Sequence, residues 1–314
     1  MDFELSEEDR MFQENVRKFC ERELRPKMKY IDENGEIPRE LLKKMANMGL
    51  LGITVPEKYG GSNATITQST LAAIEIGRGD ISMATAVYYL LEAGWGLIFS
   101  KYGDESLKGE VLPKVTNGDW FLGIASTEPG GGSDLLGTKT VARKENGKYI
   151  IKGEKSFISG VYEAKKYGGG HLTLVKMDSD RADHKKMNFI YVPTNSEGIE
   201  IQKFHNMGRM GISTGALTYD NAKIPEQNRM GSENQGFYIL MEGFNVARTL
   251  VSAACIGAGE RLLEIGIEYL RSRRAFGMPI GKLEGLQFEL ADIYSQLEMA
   301  KLTVLKSAWM LDKY

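Results

Sequence analysis

FLGIASTEPGGGSDLLGTKTVARKENGKYIIKGEKSFISG, residues 121–160, decides how this chain is read. An apolar, strand-like start runs into Thr127-Glu128-Pro129, then three glycines, then Ser133-Asp134. Glycine permits dihedrals and close backbone approach that side chains forbid, so such a loop can wrap a ligand with its N–H groups. The residues that follow predict a β-hairpin turning at Asn146-Gly147, which delivers Phe157 and Ser159. Two apart on a strand, an aromatic ring and a hydroxyl share one face. A planar heteroaromatic ligand requires that pairing. The bland alternative is a strand end with one core and one surface residue.

On the N-terminal side of this stretch the pattern is helical. Ser6 can cap a helix carrying Phe12, Val16 and Phe19 at helical spacing. Pro38 suits a first helical turn, Leu41, Leu42 and Met45 follow, and Gly49 fits the stop. Further helices are predicted at 65–79, 81–101 and 104–115, with Gly60-Gly61 and Gly103 as breaks. From about residue 120 short β-rich runs take over, at 149–152, 172–176, 189–192, 199–202 and 216–219. They predict an antiparallel β-domain. Helical periodicity returns over 234–273 and 284–313. The second of these carries Leu286, Leu290, Ile293, Leu297, Ala300, Val304 and Ala308, in steps of four and three that make a bundle seam. The expected class is α+β, with a helical domain over 1–118, a β-domain over 119–231 and a helical-bundle domain over 232–314.

The chain of 314 residues is 42% hydrophobic and 26% charged, which describes an ordinary globular protein of more than one domain. A net charge of −2 points to neither nucleic acid nor an anionic membrane. No apolar run is expected to be long enough to span a bilayer. The start, MDFELSEEDR, carries no apolar h-region or arginine-rich presequence. Cys20 and Cys255 lie far apart, which fits a reducing, cytoplasmic compartment. His171, His184 and His205 lack ligand spacing, so no metal site is expected.

The TEPxxGSD loop and the F-x-S strand end resemble the flavin-binding signature of acyl-CoA dehydrogenases, and GLLGITVPEKYGG (49–61) resembles that family's N-terminal domain. The helical–β–helical order is similar to the family from end to end. The resemblance implies bound FAD, an acyl-CoA substrate oxidised to a trans-2-enoyl-CoA, electrons passed to an electron-transferring flavoprotein, and a homotetramer or homodimer. Two alternatives stay open: an acyl-CoA oxidase using O2, and a non-catalytic flavin-binding or assembly protein. Family members usually continue past the position matching Tyr314, so the chain reads as a shortened version, or as one whose helical seam another subunit covers.

Residue by residue, the resemblance implies that Thr127 bonds the pyrimidine side of the flavin and that Ser126 presents backbone to it. Ser133 would lie near the pyrophosphate and the substrate tail, Phe157 would pack on the ring, and Ser159 would stand near N5. SRRAFG (272–277) resembles a segment reaching a neighbouring subunit's FAD, with Arg273 on pyrophosphate and Phe276 near adenine. A guanidinium fork suits phosphate oxygens; the plainer reading is a solvated helix C-terminus. Glu284 stands where the family often has Gln, and a carboxylate cannot donate as an amide does. In FNVARTLV, Phe244, Asn245 and Arg248 are the expected substrate contacts, with Ser133. Ala247 occupies the place where one branch carries its catalytic Glu, and other branches place it beyond Tyr314. No base follows from matching. Glu92, on a helix bordering the acyl pocket in relatives, is the one candidate, and its plain reading is a partly exposed helix carboxylate.

Two other signals fail. Gly132-x4-Gly137-Thr138-Lys139 has Thr and Lys in the wrong order for a phosphate loop and leads into a strand. Gly257-Ala258-Gly259 lies inside a helix, follows no strand and is read as close helix packing.

Overall fold

A computed structural model describes residues 4–177 and 186–314. Helices α1 (Glu7–Phe19), α2 (Met28–Asn34), α3 (Arg39–Asn47), α4 (Ile66–Gly79), α5 (Ala84–Tyr102) and α6 (Glu105–Thr116) come first. Ser6 caps α1 by accepting the Asp9 N–H, and Thr65 with Gln68 forms a capping box on α4. Both satisfy donors that a first turn leaves orphaned. The carboxylate of Asp312 adds to the α4 cap, taking the Ile66 N–H at 2.6 Å and the Thr67 N–H at 2.9 Å.

The β-domain contains β1 (Phe121–Ala125), β2 (Val141–Glu145), β3 (Lys148–Ser159), α7 (Val161–Tyr167), β4 (Gly169–Met177), β5 (Met187–Pro193), β6 (Ile199–Lys203) and β7 (Thr214–Pro225). Asn146 and Gly147, both at positive φ, turn β2 into β3 as the sequence predicts. The strand order is β1-β4-β2-β3-β7-β6, with β5 also on β4. The β2–β3, β3–β7, β6–β7 and β4–β5 pairs are antiparallel, but β4 lies parallel to β1 and to β2. The sheet is therefore mixed. The chain leaves β1, makes the β2–β3 hairpin and α7, and only then enters β4, the long return that parallel neighbours need. Phe189 and Tyr191 of β5 join a core shared with the helices, while Ile190 and Val192 join a second core inside the β-domain. A strand buried on both faces reads as a continuous apolar run.

The long α8 (Gly236–Ser272) leads through a small hairpin, β8 (Arg274–Ala275) and β9 (Met278–Pro279), into α9 (Glu284–Lys313). Gly257 and Gly77 let α8 and α4 touch backbone to backbone. A Cβ at Gly257 would run into the Ile74 carbonyl, and one at Gly77 into the Ala254 carbonyl. Polar links reinforce the crossing: Arg78 pairs with Glu260 at 3.2 Å and Glu264 at 2.6 Å, and Lys301 of α9 reaches Glu260 at 2.9 Å. One expectation needs correcting. By length, and by a mean hydropathy of 1.3 over an 18-residue stretch, α8 is apolar enough to cross a membrane, but 50% of that stretch is buried inside the protein. Its apolar character serves packing against α4 and α5. Along the α9 seam Val304 and Ala308 are buried, Leu297 meets Gly259, and Ile293 stays exposed.

Candidate functional site

The glycine-rich loop is built on a buried ion pair. Glu128 and Gly131 exchange backbone hydrogen bonds of 3.0 and 3.1 Å, which close the turn through Pro129-Gly130. The Glu128 carboxylate then accepts from the Lys139 N–H at 2.7 Å, the Thr140 N–H at 2.9 Å and the Lys155 ammonium at 2.9 Å. Burial works against the Glu128 charge, but Lys155 beside it and these donors hold its pKa below the ordinary value. Burial in turn draws the Lys155 ammonium down to about 8. Lys155 also donates to the Ser126 carbonyl at 3.1 Å, which locks the backbone just before Thr127. The loop base is held by these bonds, and Gly130–Ser133 are exposed to solvent.

Thr127 and the end of β3 meet at one hydrogen bond, from the Ser156 N–H to the Thr127 carbonyl at 2.9 Å. A bulge between Lys155 and Ile158 then interrupts the pairing of β3 with β7. Within it Phe157 adopts φ +59°, a left-handed backbone rare for a bulky side chain. Bulges of this kind re-aim side chains beside functional sites. The Phe157 ring is 66% exposed and touches Phe204 edge-on at 5.6 Å. Ile158 is buried, while Phe157 is exposed and Ser159 half-buried on either side of it, and the bulge replaces the plain alternation the sequence suggests.

Ser159 is gripped twice. Its carbonyl accepts from His171 Nε2 at 3.0 Å, and its hydroxyl accepts from Arg209 Nη1 at 3.0 Å. A carbonyl can only accept, so His171 carries its proton on Nε2, and Nδ1 faces the Thr194 hydroxyl at 3.3 Å. Burial pushes the His171 pKa down to about 4, keeping the ring neutral. Sequence reasoning passed over Arg209, His171, Glu128 and Lys155 as participants. The signal for the last was a lysine on the buried phase of a strand, two residues before Phe157.

Other expected residues lie on other elements. On α8, Phe244 stacks edge-on against Trp95 at 5.9 Å, and Arg248 lies over the Phe244 ring at 5.4 Å while donating to Asn245 Oδ1 at 3.1 Å. Trp95 also meets Phe189 of β5 at 5.9 Å, so this α8 cluster is tied to the β-domain through α5. Arg273 follows α8 directly, and Phe276, at φ +53° and 91% exposed, tips the β8–β9 hairpin. Glu284 begins α9. Ala247 is half-buried on α8 and offers no carboxylate. His205 is exposed, whereas His184 lies outside the described residues.

Glu92 corrects one of its sequence readings, that of a partly exposed helix carboxylate. It is 0% exposed, and its Oε1 accepts the Leu122 N–H at 3.2 Å. Among the described residues Oε2 has no hydrogen-bond partner, and the same holds for the buried Tyr88 hydroxyl and Trp95 Nε1 on the same α5 face. Burial pushes the Glu92 pKa well up, against the opposing Leu122 hydrogen bond, which favours the protonated form. A general base must be ionised and within reach of its substrate. Burial of Glu92 works against both.

The domain families described as acyl-CoA dehydrogenase N-terminal, middle and C-terminal match residues 6–119, 123–222 and 234–314. An acyl-CoA dehydrogenase of Bacillus subtilis (strain 168) is 36% identical over 306 residues, which is 97% of this chain and 79% of that protein. An acryloyl-CoA reductase (NADH) of Anaerotignum propionicum is 33% identical over 315 residues, covering 99% of this chain and 78% of its own. Among solved structures, a glutaryl-coenzyme A dehydrogenase in complex with glutaryl-CoA superposes with a TM-score of 0.92 at 29% identity, covering 98% of this chain and 78% of that one.

Proposed function

The chain belongs to the acyl-CoA dehydrogenase family, and on that premise we propose that it binds FAD and dehydrogenates an acyl-CoA thioester to the trans-2-enoyl-CoA. The observation that carries this reading is the junction of Thr127 with Phe157 and Ser159 through the Ser156–Thr127 hydrogen bond. The donor set fits a flavin: hydroxyls of Thr127, Ser133 and Ser159, the Ser126 backbone, an exposed aromatic ring, and Gly130 and Gly131 with open space around them. FAD, when bound, supplies the hydride acceptor. Phe157 offers a flat face against which such a ring system packs, and the pinned loop base spares the site reorganisation on binding.

Phe244, Asn245 and Arg248, with Ser133, are the proposed contacts to the thioester. Arg273 and Phe276, on their exposed hairpin, are proposed to reach the FAD of a neighbouring subunit in a homodimer or homotetramer. The exposed Leu262, Ile265 and Tyr269 of α8 and Ile293 of α9 support such packing. An electron-transferring flavoprotein is the proposed acceptor, and the two free cysteines fit a reducing, cytoplasmic setting.

The sealed Glu92 and the alanine at 247 favour a second reading, flavin binding without dehydrogenation. Anaerobic absorbance titration of the FAD-reconstituted protein with a panel of acyl-CoA thioesters separates the two. Bleaching of the flavin band by any of them supports dehydrogenation. A yellow protein that none reduces supports the second reading, and a colourless protein refutes both. Peroxide release in air would redirect the first reading to an oxidase.

A further inference from the structure

The segment between β6 and β7 carries Arg209, a half-buried non-glycine residue at φ +45°. Its guanidinium spans two neutral hydroxyls, Nη1 to Ser159 Oγ at 3.0 Å and Nη2 to Thr214 Oγ1 at 2.7 Å. Glu163 is the carboxylate whose charge acts on it, and both Glu163 oxygens are already occupied by the Ser213 N–H and hydroxyl. Burial disfavours the Arg209 charge. The fold thus holds a partly desolvated cation, on a strained backbone, against one particular hydroxyl.

That hydroxyl belongs to Ser159, whose carbonyl is anchored from behind by His171. Because Oγ accepts from the guanidinium, its own hydrogen is directed elsewhere, and the adjacent positive charge makes it a stronger donor. We infer that Arg209 is a positioning residue for the redox step, fixing Ser159 as a charge-polarised donor toward the flavin edge and making the flavin easier to reduce. This inference rests on the proposed function. In the proposed dehydrogenation a general base takes up the α-proton, the C–H electron pair left on the α-carbon forms the new carbon–carbon double bond, and the β-hydrogen leaves as hydride. The hydride brings one proton and two electrons, hence one added negative charge on the flavin side. A cation one hydrogen bond behind the contact favours that change.

The test is the midpoint potential of bound FAD, measured by dye equilibration with FAD retention and melting temperature read in parallel. Arg209→Met is expected to shift the reduced-to-oxidised ratio about tenfold toward oxidised, about 30 mV for a two-electron couple. Arg209→Lys, which keeps the charge but loses the fork, should shift it less. Ser159→Ala should lower the potential by itself and remove most of the further effect of Arg209→Met. An unchanged potential in Arg209→Met with a lower melting temperature would reduce Arg209 to a loop pin and overturn the inference. A full Arg209→Met effect persisting on the Ser159→Ala background would also overturn it, because the charge would then act without the hydroxyl. If Arg209→Met does not fold, Arg209→Lys with and without Ser159→Ala carries the same comparison. A wild-type protein unable to retain FAD would refute the proposed function and this inference together, whereas a normal yellow protein with insensitive potentials refutes the inference alone.

Discussion

His171 shows how one side chain behind the site can govern its acid tolerance. The folded pKa of about 4 lies below the ordinary 6.5, so between those values the unfolded chain binds a proton that the folded one refuses. Stability is then fully present above pH 6.5, falls as pH drops toward 4, and levels off below it. The loss amounts to about 3 kcal/mol. Urea unfolding at a series of pH values should show this acid limb, and His171→Gln should flatten it whatever its effect at pH 7. At this scale residue type and local pattern singled out Thr127, Phe157 and Ser159, and the structure joins the Thr127 carbonyl to the Ser156 N–H at 2.9 Å. The sequence was silent where partners are distant: Lys155 and Glu128 are 27 residues apart, and Arg209 and Ser159 are 50 apart. Glu92 was misread because its burial depends on β1 closing over α5, which no local pattern records.

Among the elements, the α4–α8 crossing is the most constrained. Gly257→Ala must push the two backbones apart, since its Cβ would collide with the Ile74 carbonyl, which cannot swing away as a side chain could. An overpacking cost of about 1–3 kcal/mol is expected, seen as a lower urea midpoint with the slope unchanged. Gly266→Ala, on the same helix with open space around it, should instead be neutral or stabilising. The reading of 257–259 as close helix packing came from small residues on a long periodic helix. Other elements escaped notice because they are short. α7 and the β8–β9 hairpin offer too few residues for periodicity to register, and the parallel placement of β1 follows from connectivity rather than composition.

For the molecule as a whole, helical, β and helical segments were evident from the change in period along the chain, and what periodicity could not supply was the way the ends of the chain come together. Asp312, near the end of α9, completes the cap of α4 across 246 residues. Asp312→Ala should cost about 1 kcal/mol, while Asp312→Asn, which keeps one acceptor oxygen, should lose less; thermal or urea unfolding checks both. α4 precedes α9 in the chain, so its first turn rests on its own Thr65–Gln68 box until α9 docks and adds the Asp312 carboxylate. Until then the apolar α4 surface that α8 and α9 will cover stays open on the ribosome, where a holdase chaperone would find it. The same carboxylate therefore ties a local helix cap to the docking of an element far along the chain, so α9 and the first turn of α4 gain order together.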